Sequence, residues 1–299
     1  MTDTFSIGLV QRSCGKSHEE NLRRAIAGVR EAAKHGAQIV CLQELFCSTY
    51  FCTVEDSSRF EFAETAEGPT IRAMQELSRE LNIALVVPFF EKRAAGLYHN
   101  SAAVLDADGR LLGIYRKMHI PDDPLYYEKF YFTPGDAPGQ RGGFQVFKTK
   151  YATIGVLICW DQWYPEAARI TSLMGAEVLF FPTAIGWHPA EKNVWGERQR
   201  EAWQTAQRAH AIANGVYVAA VNRVGHEVTP GTDGIEFFGH SFICDPFGKF
   251  IVEAKSEKEE VLVTSCSRKY LEDIRRAWPF LRDRRVDAYQ PILARYLDS

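Results

Sequence analysis

The sequence predicts an α/β fold, with one domain built on a mixed sheet or on two packed sheets. Segments with apolar residues at helical spacing alternate with short apolar strands, and two hairpin signals interrupt this alternation. Such a pattern combines parallel and antiparallel strands around one core. No linker rich in Pro, Gly or Ser divides the 299 residues and no repeat is visible. We therefore expect the range 1–299 to form a single domain.

The first elements are a strand over residues 5–11 and a capped helix. Ser17 and Glu20 stand at the spacing of a capping box, in which a hydroxyl and a carboxylate bind free amides at a helix start. Gly36 suits the end of that helix. The next segments are a buried strand over 37–42, a helix over 70–81 and a strand over 83–90.

Two hairpins interrupt the alternation of helices and strands. The first joins residues 98–105 to 110–117 through Asp106-Ala-Asp-Gly109, a turn that favours antiparallel pairing. The second turns at Pro246-Phe-Gly248. Its strands are expected at 237–245 and 249–254.

The remaining elements follow an apolar strand over residues 153–159. Pro165 occupies a favoured first-turn position and opens a helix that runs to Ala176. Further elements are expected as strands at 177–182, 216–222 and 261–265 and as a helix at 197–213. The tail from Ser267 is helical at first, then irregular and basic.

Composition excludes several classes of function. The net charge is −3 and no long basic block occurs, which disfavours nucleic-acid binding. No apolar run of about 18 residues is present, so we expect no membrane span. The start of the chain lacks the pattern of a secretory signal. We therefore expect a cytoplasmic protein whose seven cysteines, none in a CxxC pair, are reduced.

A metal site is not expected. Cys41, Cys47 and Cys52 are close in sequence, but their spacing matches no zinc pattern and no paired His lies nearby. Cys41 is interpreted as a small apolar core residue.

Cys159 is a candidate nucleophile. It ends an apolar strand, and ligands of open α/β sheets bind beyond the carboxyl ends of strands. The helix opened by Pro165 would favour negative charge on the thiol. Alone, a cysteine in an apolar run is more often a core thiol. A papain-like pair with His119 is a further alternative.

Glu44 and Lys117 are candidate partners of that cysteine. Glu44 follows the apolar strand at 37–42, where apolar neighbours would favour its neutral form and suit a general base. Lys117 ends a hairpin strand and could stabilise an oxyanion by its charge. Taken singly, Glu44 is more readily interpreted as a solvated loop residue and Lys117 as a surface lysine.

Together these residues lie in three segments that resemble the signatures of the nitrilase (carbon-nitrogen hydrolase) superfamily. The segments are Gln43–Phe46, Tyr115–Pro121 and Ile158–Glu166. The resemblance implies a four-layer α-β-β-α sandwich and no metal or organic cofactor. It also implies that Glu44 is the base, Lys117 the oxyanion stabiliser, Cys159 the nucleophile and Glu128 a residue that orients Lys117.

A finer resemblance is to the N-carbamoylputrescine amidohydrolases. It rests on the segments 119–124, 128–136, 159–169, 182–186, 222–225, 238–243 and 282–289. Asp123 departs from that pattern, which usually has glycine. The resemblance implies a small-molecule ureido substrate, attacked by Cys159 to give a carbamoyl-thioester that water then hydrolyses.

The distal ammonium of such a substrate needs aromatic walls and a carboxylate. Trp160, Tyr50 and Asp122 are the predicted substrate-binding residues. The other candidates are Trp163, Trp187 and Trp195 for walls and Asp161 and Glu197 for charge.

Two other functions remain open. A hydrolase of N-carbamoyl amino acids would need a basic residue at the far end of the pocket, and Arg198 and Arg200 are conceivable ligands. A non-catalytic scaffold member of the family is the second alternative. The resemblance further implies self-association to a dimer or a larger homo-oligomer, with residues 267–299 as an extension used in subunit contacts.

Overall fold

The computed structural model describes residues 2–137 and 142–298, and its framework is a pair of six-stranded sheets. The strands are β1 (Thr4–Gln11), β2 (Ile39–Leu42), β3 (Ala84–Ala94), β4 (Leu97–Leu105), β5 (Leu111–Arg116), β6 (Val146–Lys148), β7 (Thr153–Val156), β8 (Val178–Pro182), β9 (Gly186–Trp187), β10 (Tyr217–Val221), β11 (Val224–Glu227), β12 (Ile235–Phe238), β13 (Phe242–Cys244), β14 (Phe250–Glu253) and β15 (Glu260–Ser267). The helices are α1 (His18–Lys34), α2 (Pro69–Leu81), α3 (Glu128–Tyr131), α4 (Pro165–Leu173), α5 (Lys192–Asn214) and α6 (Arg268–Ala277).

Both large sheets are mixed, as the sequence predicts. The first has the order β15-β1-β2-β3-β4-β5, and the second has the order β14-β13-β10-β8-β7-β6. Within each sheet the three central strands that alternate with helices are parallel, and the hairpin strands add antiparallel edges. A small third sheet has the order β11-β12-β9.

Side-chain alternation along the strands produces the layers. In β2, Ile39 and Cys41 point into the core between the two sheets, whereas Val40 and Leu42 pack in the cluster shared with α1 and α2. A strand buried on both faces is apolar throughout. Helices α4 and α5 cover the outer face of the second sheet. The predicted four-layer α-β-β-α sandwich is confirmed.

The cap of α1 differs in part from its prediction. Ser17 Oγ accepts a hydrogen bond from the Glu20 amide at 3.2 Å, as expected for an N-cap. The Glu20 carboxylate does not close the box, because it accepts two hydrogen bonds from Arg23 on the next turn.

Two predicted strands are wrong in extent. The segment 153–159 leaves the sheet after Val156, and Cys159 begins a 3-10 turn with a φ of +43°. The segment 237–245 divides into β12 and β13, because Gly239 and His240 take positive φ values that bend the chain from one sheet into another. Residues on both sides of each bend are buried. The apolar sequence pattern therefore continues beyond the point where the hydrogen bonds of the strand end.

Helix ends and short strands also differ from the predictions. Helix α5 begins at Lys192 rather than Glu197, and α4 ends at Leu173 rather than Ala176. The short strands β6, β9 and β11 were not predicted, since two to four residues carry too little periodicity to be seen in a sequence.

The tail after α6 forms two short 3-10 turns at Val286–Ala288 and Gln290–Leu293. Trp278 packs edge-on against Phe247, with ring centroids 4.9 Å apart. Farther along, the exposed apolar side chains are Val286, Ile292, Leu293, Tyr296 and Leu297. An exposed apolar stretch of this kind suits a subunit contact. The single-domain boundary and the self-association stay predictions.

Residues 2–137 and 142–298 contain neither a membrane-spanning helix nor a cluster of metal ligands. None of their helices is long and apolar enough to cross a membrane. No group of three or more His, Cys, Asp or Glu side chains in these ranges could hold a metal ion.

Candidate active site

Four predicted site residues meet at one edge of the sandwich. Glu44 follows β2, Lys117 follows β5, Cys159 follows β7 and Glu128 opens α3. The carboxyl ends of β2 and β7 bring two of them to the same edge. All four side chains are buried. The Lys117 ammonium donates to Glu128 Oε2 at 2.7 Å and to Glu44 Oε1 at 3.0 Å.

Lys117 is held as a cation. Burial favours its neutral amine, but the carboxylates of Glu128 and Glu44 outweigh burial and raise the pKa of Lys117 well above its usual range. The Lys117 amide also donates to the Asn100 carbonyl at 2.9 Å, which extends the pairing of β4 with β5 beyond Arg116. A charged donor with a fixed backbone can stabilise an oxyanion.

The two carboxylates have different surroundings. Glu128 Oε1 accepts from the Tyr50 hydroxyl at 2.7 Å, and burial raises the pKa of Glu128 although Lys117 opposes the rise. Glu44 Oε1 accepts from Asn100 Nδ2 at 2.6 Å. Glu44 Oε2 is buried and has no hydrogen-bond partner among the described residues, so it can accept a proton.

The Cys159 thiol requires a base. Burial raises its pKa well above the usual range, and the charges of Glu44 and Glu128 raise it further, against smaller opposing effects of Lys117 and of the Ala184 backbone. These surroundings disfavour the thiolate, so a nucleophilic role of Cys159 would need proton transfer to a base.

Asp161 ties the cysteine turn to the segment after Lys117. Its Oδ2 accepts from the Ile158 amide at 2.9 Å and the Tyr115 hydroxyl at 2.7 Å. Its Oδ1 lies 3.0 Å from the His119 amide and 2.7 Å from His119 Nδ1. This buried carboxylate is saturated with hydrogen bonds and does not line the cavity above Cys159, so it is not a substrate ligand.

The Cys–His alternative is not supported by this geometry. The His119 ring is bound to Asp161 and stacks on Tyr164, with centroids 3.7 Å apart and planes 5° from parallel. Both contacts hold the imidazole in a fixed orientation. Glu44 and Glu128 are therefore the candidate bases for Cys159.

A cavity of about 440 Å³ opens above Cys159 and Glu128. Its wall and mouth residues are Pro121, Asp123, Pro124, Tyr126, Trp160, Trp163, Ala184, Ile185, Gly186, His188, Glu191, Gln199, Ala202 and Phe238. A larger open cleft of about 820 Å³ shares only His188 with it and contains none of the four clustered residues. The smaller cavity is therefore the candidate substrate site.

The predicted substrate residues are placed differently from one another. Trp160 lines the cavity. Tyr50 does not, because it is buried behind Glu128 and donates to it. Asp122 does not either, since its carboxylate is exposed and lies 4.0 Å from Lys129 Nζ, whereas the neighbouring Asp123 lines the cavity. These two assignments are corrected.

The other candidates for walls and charge are mostly elsewhere. Trp163 lines the cavity. Trp187 is buried and donates to the Gly196 carbonyl, and Trp195 is exposed. Glu197 pairs with Arg200 on the surface of α5.

Sequence reasoning missed two groups of site residues. Asp123 and Glu191 are exposed and line the cavity from loops without periodicity. Asn100 could have been predicted from the sequence, because it lies in a polar triplet, residues 99–101, within the otherwise apolar β4. A buried polar group in a strand needs a partner, and here that partner is Glu44.

Comparison with known proteins decides the family. The family model described as carbon-nitrogen hydrolase matches residues 6–276. The chain belongs to the carbon-nitrogen hydrolase family. A crystal structure of a carbon-nitrogen hydrolase from Helicobacter pylori G27 superposes with a TM-score of 0.93 at 43% identity and covers 98% of this chain and 100% of its own.

Two similar proteins have named activities. An N-carbamoylputrescine amidase of Oryza sativa subsp. japonica is 46% identical over 96% of this hydrolase and 94% of its own length. A citrullinase of Francisella tularensis is 40% identical over 98% and 99% of the two chains. This hydrolase is thus an enzyme that acts on carbon–nitrogen bonds, as the sequence predicts.

Proposed function

We propose that this carbon-nitrogen hydrolase is a cysteine amidohydrolase that converts N-carbamoylputrescine to putrescine, ammonia and carbon dioxide. The observation that carries the proposal is a cavity lined by the buried Cys159 and by two exposed acids, Asp123 and Glu191. The relative from Oryza sativa, with its named activity and 46% identity, supports the same substrate. The reaction would place the enzyme in polyamine biosynthesis.

The cavity suits a chain that ends in a cation. Trp160, Trp163 and Tyr126 give apolar and aromatic walls for a four-carbon chain. Asp123 and Glu191 offer carboxylates to an ammonium at the far end. Among the residues described for this structure, no Lys or Arg lines the cavity. A substrate with an anionic end would find no matching charge there.

The first half-reaction is acylation of Cys159. Glu44 takes the thiol proton, and the thiolate attacks the ureido carbonyl carbon. Lys117 and backbone amides near Cys159 stabilise the negative charge on the carbonyl oxygen. Glu128 holds the Lys117 ammonium in place from the other side. Glu44 passes the proton that it took from the thiol to the substituted nitrogen, the bond between this nitrogen and the carbonyl breaks, putrescine leaves, and a carbamoyl group remains on sulfur.

The second half-reaction is hydrolysis of that carbamoyl-thioester. Glu44 accepts a proton from water, and the hydroxide formed attacks the same carbonyl carbon. The thiol is regenerated and carbamic acid leaves, which decomposes to ammonia and carbon dioxide. No metal or organic cofactor has a part in this scheme.

Hydrolysis of carbamoyl amino acids is the less favoured function. Arg198 lies over the Trp195 ring, and Arg200 donates to Glu197 and Gln204. Neither arginine lines the cavity, so neither is placed to bind a substrate carboxylate. The citrullinase relative makes citrulline a necessary comparison, because that compound carries the same ureido group together with an α-carboxylate.

A substrate panel tests the proposal. Ammonia release from N-carbamoylputrescine, citrulline and N-carbamoyl-β-alanine should be measured with purified enzyme, with Cys159→Ala as the blank. We expect kcat/KM to be highest for N-carbamoylputrescine by at least about tenfold. Turnover of either carboxylate compound, with none of N-carbamoylputrescine, would refute the substrate assignment and leave the chemistry intact.

A further inference from the structure

Arg223 is a fully buried cation next to the candidate base. It lies between β10 and β11, and its guanidinium donates to the Glu44 carbonyl at 2.7 Å, the Leu45 carbonyl at 3.1 Å and the Ser48 carbonyl at 3.2 Å. Its ionic partner is Glu227, at 2.8 Å. A guanidinium satisfies several acceptors in one rigid plane, which an ammonium cannot do.

The carbonyls bound by Arg223 belong to a constrained turn. Leu45 takes a φ of +50°, a left-handed conformation that is unfavourable for a residue with a side chain. Such a conformation persists only where its surroundings fix it. Arg223 supplies that constraint, and the turn it holds carries the Glu44 side chain.

Glu227, the ionic partner of Arg223, is linked through Tyr50 to the second carboxylate, Glu128. The other oxygen of Glu227 accepts from the Tyr50 amide at 2.5 Å. The Tyr50 hydroxyl in turn donates to Glu128 Oε1 at 2.7 Å. One buried ion pair is therefore linked to the backbone of Glu44 on one side and to the side chain of Glu128 on the other.

We propose that the Arg223–Glu227 pair positions both carboxylates that bind Lys117, and so sets the reactivity of Cys159. Neither residue touches the substrate cavity, so both are positioning residues. The inference rests on the proposed thiol chemistry but not on the identity of the substrate. Displacement of a catalytic group by about 1 Å can reduce turnover about a hundredfold, so a loss of this support is measurable in the rate.

The primary test uses Arg223→Lys, which keeps the charge and loses the multidentate contact. The matched control is Arg268→Lys, because Arg268 also combines a carboxylate, Glu177, with the Thr2 and Tyr151 carbonyls, but away from Cys159. Measurements are kcat, KM and melting temperature. A fourth readout is the alkylation rate of Cys159 by iodoacetamide, followed by peptide mass spectrometry.

We expect Arg223→Lys to lower kcat at least about tenfold and to change the rate of Cys159 alkylation, with KM changed less than about threefold. Arg268→Lys should lose a similar amount of thermal stability and keep both rates. Unchanged kcat and alkylation per folded Arg223→Lys molecule would overturn the proposal.

If Arg223→Lys does not fold, a second variant tests the proposal. Tyr50→Phe removes the hydroxyl that binds Glu128 and keeps the Tyr50 amide contact with Glu227. It should lower kcat about threefold to tenfold without raising KM. Wild-type kcat in Tyr50→Phe would contradict the proposal. The alkylation readout needs no substrate, so it separates a failure of this inference from a failure of the substrate assignment.

Discussion

The Lys117 ammonium lies 2.7 Å from Glu128 Oε2, at a place where neither side chain reaches solvent. Two buried opposite charges compensate each other only while both are present. The pair therefore links catalysis to stability, because the group proposed to stabilise the oxyanion also neutralises a buried carboxylate.

The first prediction concerns Lys117→Met. Removal of the ammonium leaves Glu44 and Glu128 facing each other without a cation, so we expect a loss of about 3–5 kcal/mol in the free energy of unfolding near neutral pH. We also expect kcat to fall at least about a hundredfold, because an oxyanion donor is lost. Lys129→Met, at an exposed neighbouring lysine, is the control.

The pH dependence of that variant has a defined sign. Burial already raises the pKa of Glu128, so the folded chain binds its proton more tightly than the unfolded chain. Stability from this group falls as pH rises above the usual glutamate pKa. Without Lys117 the effect grows, so Lys117→Met should regain melting temperature on acidification more than wild type does. Equal pH slopes for variant and wild type would contradict this prediction.

The second prediction concerns the free thiol. Burial raises the pKa of Cys159, so the alkylation rate at this residue should climb with pH through neutrality without reaching a plateau. Glu44→Gln removes a neighbouring charge that raises this pKa, so alkylation at neutral pH should become faster, whereas kcat should fall because the proposed base is lost. Peptide mass spectrometry separates Cys159 from the other six cysteines. A fast rate that is independent of pH down to about pH 6 would indicate a preformed thiolate instead.

Much of this site could be predicted because its residues end apolar strands. The patterns at 37–42 and 153–159 identified one strand of each large sheet, and Glu44 and Cys159 follow the carboxyl ends of these strands, where ligands of α/β sheets bind. Glu44 and Cys159 were placed together for that reason. The positions of Lys117 and Glu128 relative to them came from the family resemblance, since no local pattern specifies a contact between a hairpin end and a loop.

The errors have physical causes in the same chain. A positive φ at Cys159 leaves no mark in an apolar run, so the strand was extended too far. Asp122 and Asp123 are adjacent acids, and only the loop geometry decides which one lines the cavity. Tyr50 was assigned to a wall because it is aromatic, whereas its hydroxyl binds a buried carboxylate. Arg223 lies in the segment 222–225 that carries part of the finer resemblance, but its role could not be predicted, since a buried arginine depends on partners that are distant in sequence.

The third prediction concerns the mouth of the cavity. Asp123→Asn and Glu191→Gln should each raise KM for N-carbamoylputrescine about twofold to fivefold, because exposed ion pairs contribute little free energy. Added salt should raise the wild-type KM by screening the same charges. Asp122→Asn is the matched control and should change neither constant. An increase in KM with Asp122→Asn, but with neither of the other two variants, would support Asp122 as the substrate-binding residue.

The fourth prediction concerns Asp161→Asn. An amide cannot accept all four hydrogen bonds from the surrounding donors, so we expect a loss of about 1–3 kcal/mol in stability and a lower kcat. Asp245→Asn is the control, because Asp245 also accepts from two backbone amides and the Tyr270 hydroxyl, but in the second hairpin. It should lose stability and keep kcat. Equal kcat losses in the two variants would show that Asp161 has no specific role at the cysteine turn.

The central claim is that Cys159 carries out the cleavage of a ureido carbon–nitrogen bond. The most direct test is the release of ammonia and putrescine from N-carbamoylputrescine by wild type and by Cys159→Ala, after circular dichroism shows that both are folded. The account predicts equimolar products from wild type and none above the blank from the variant. Comparable turnover by folded Cys159→Ala would contradict it.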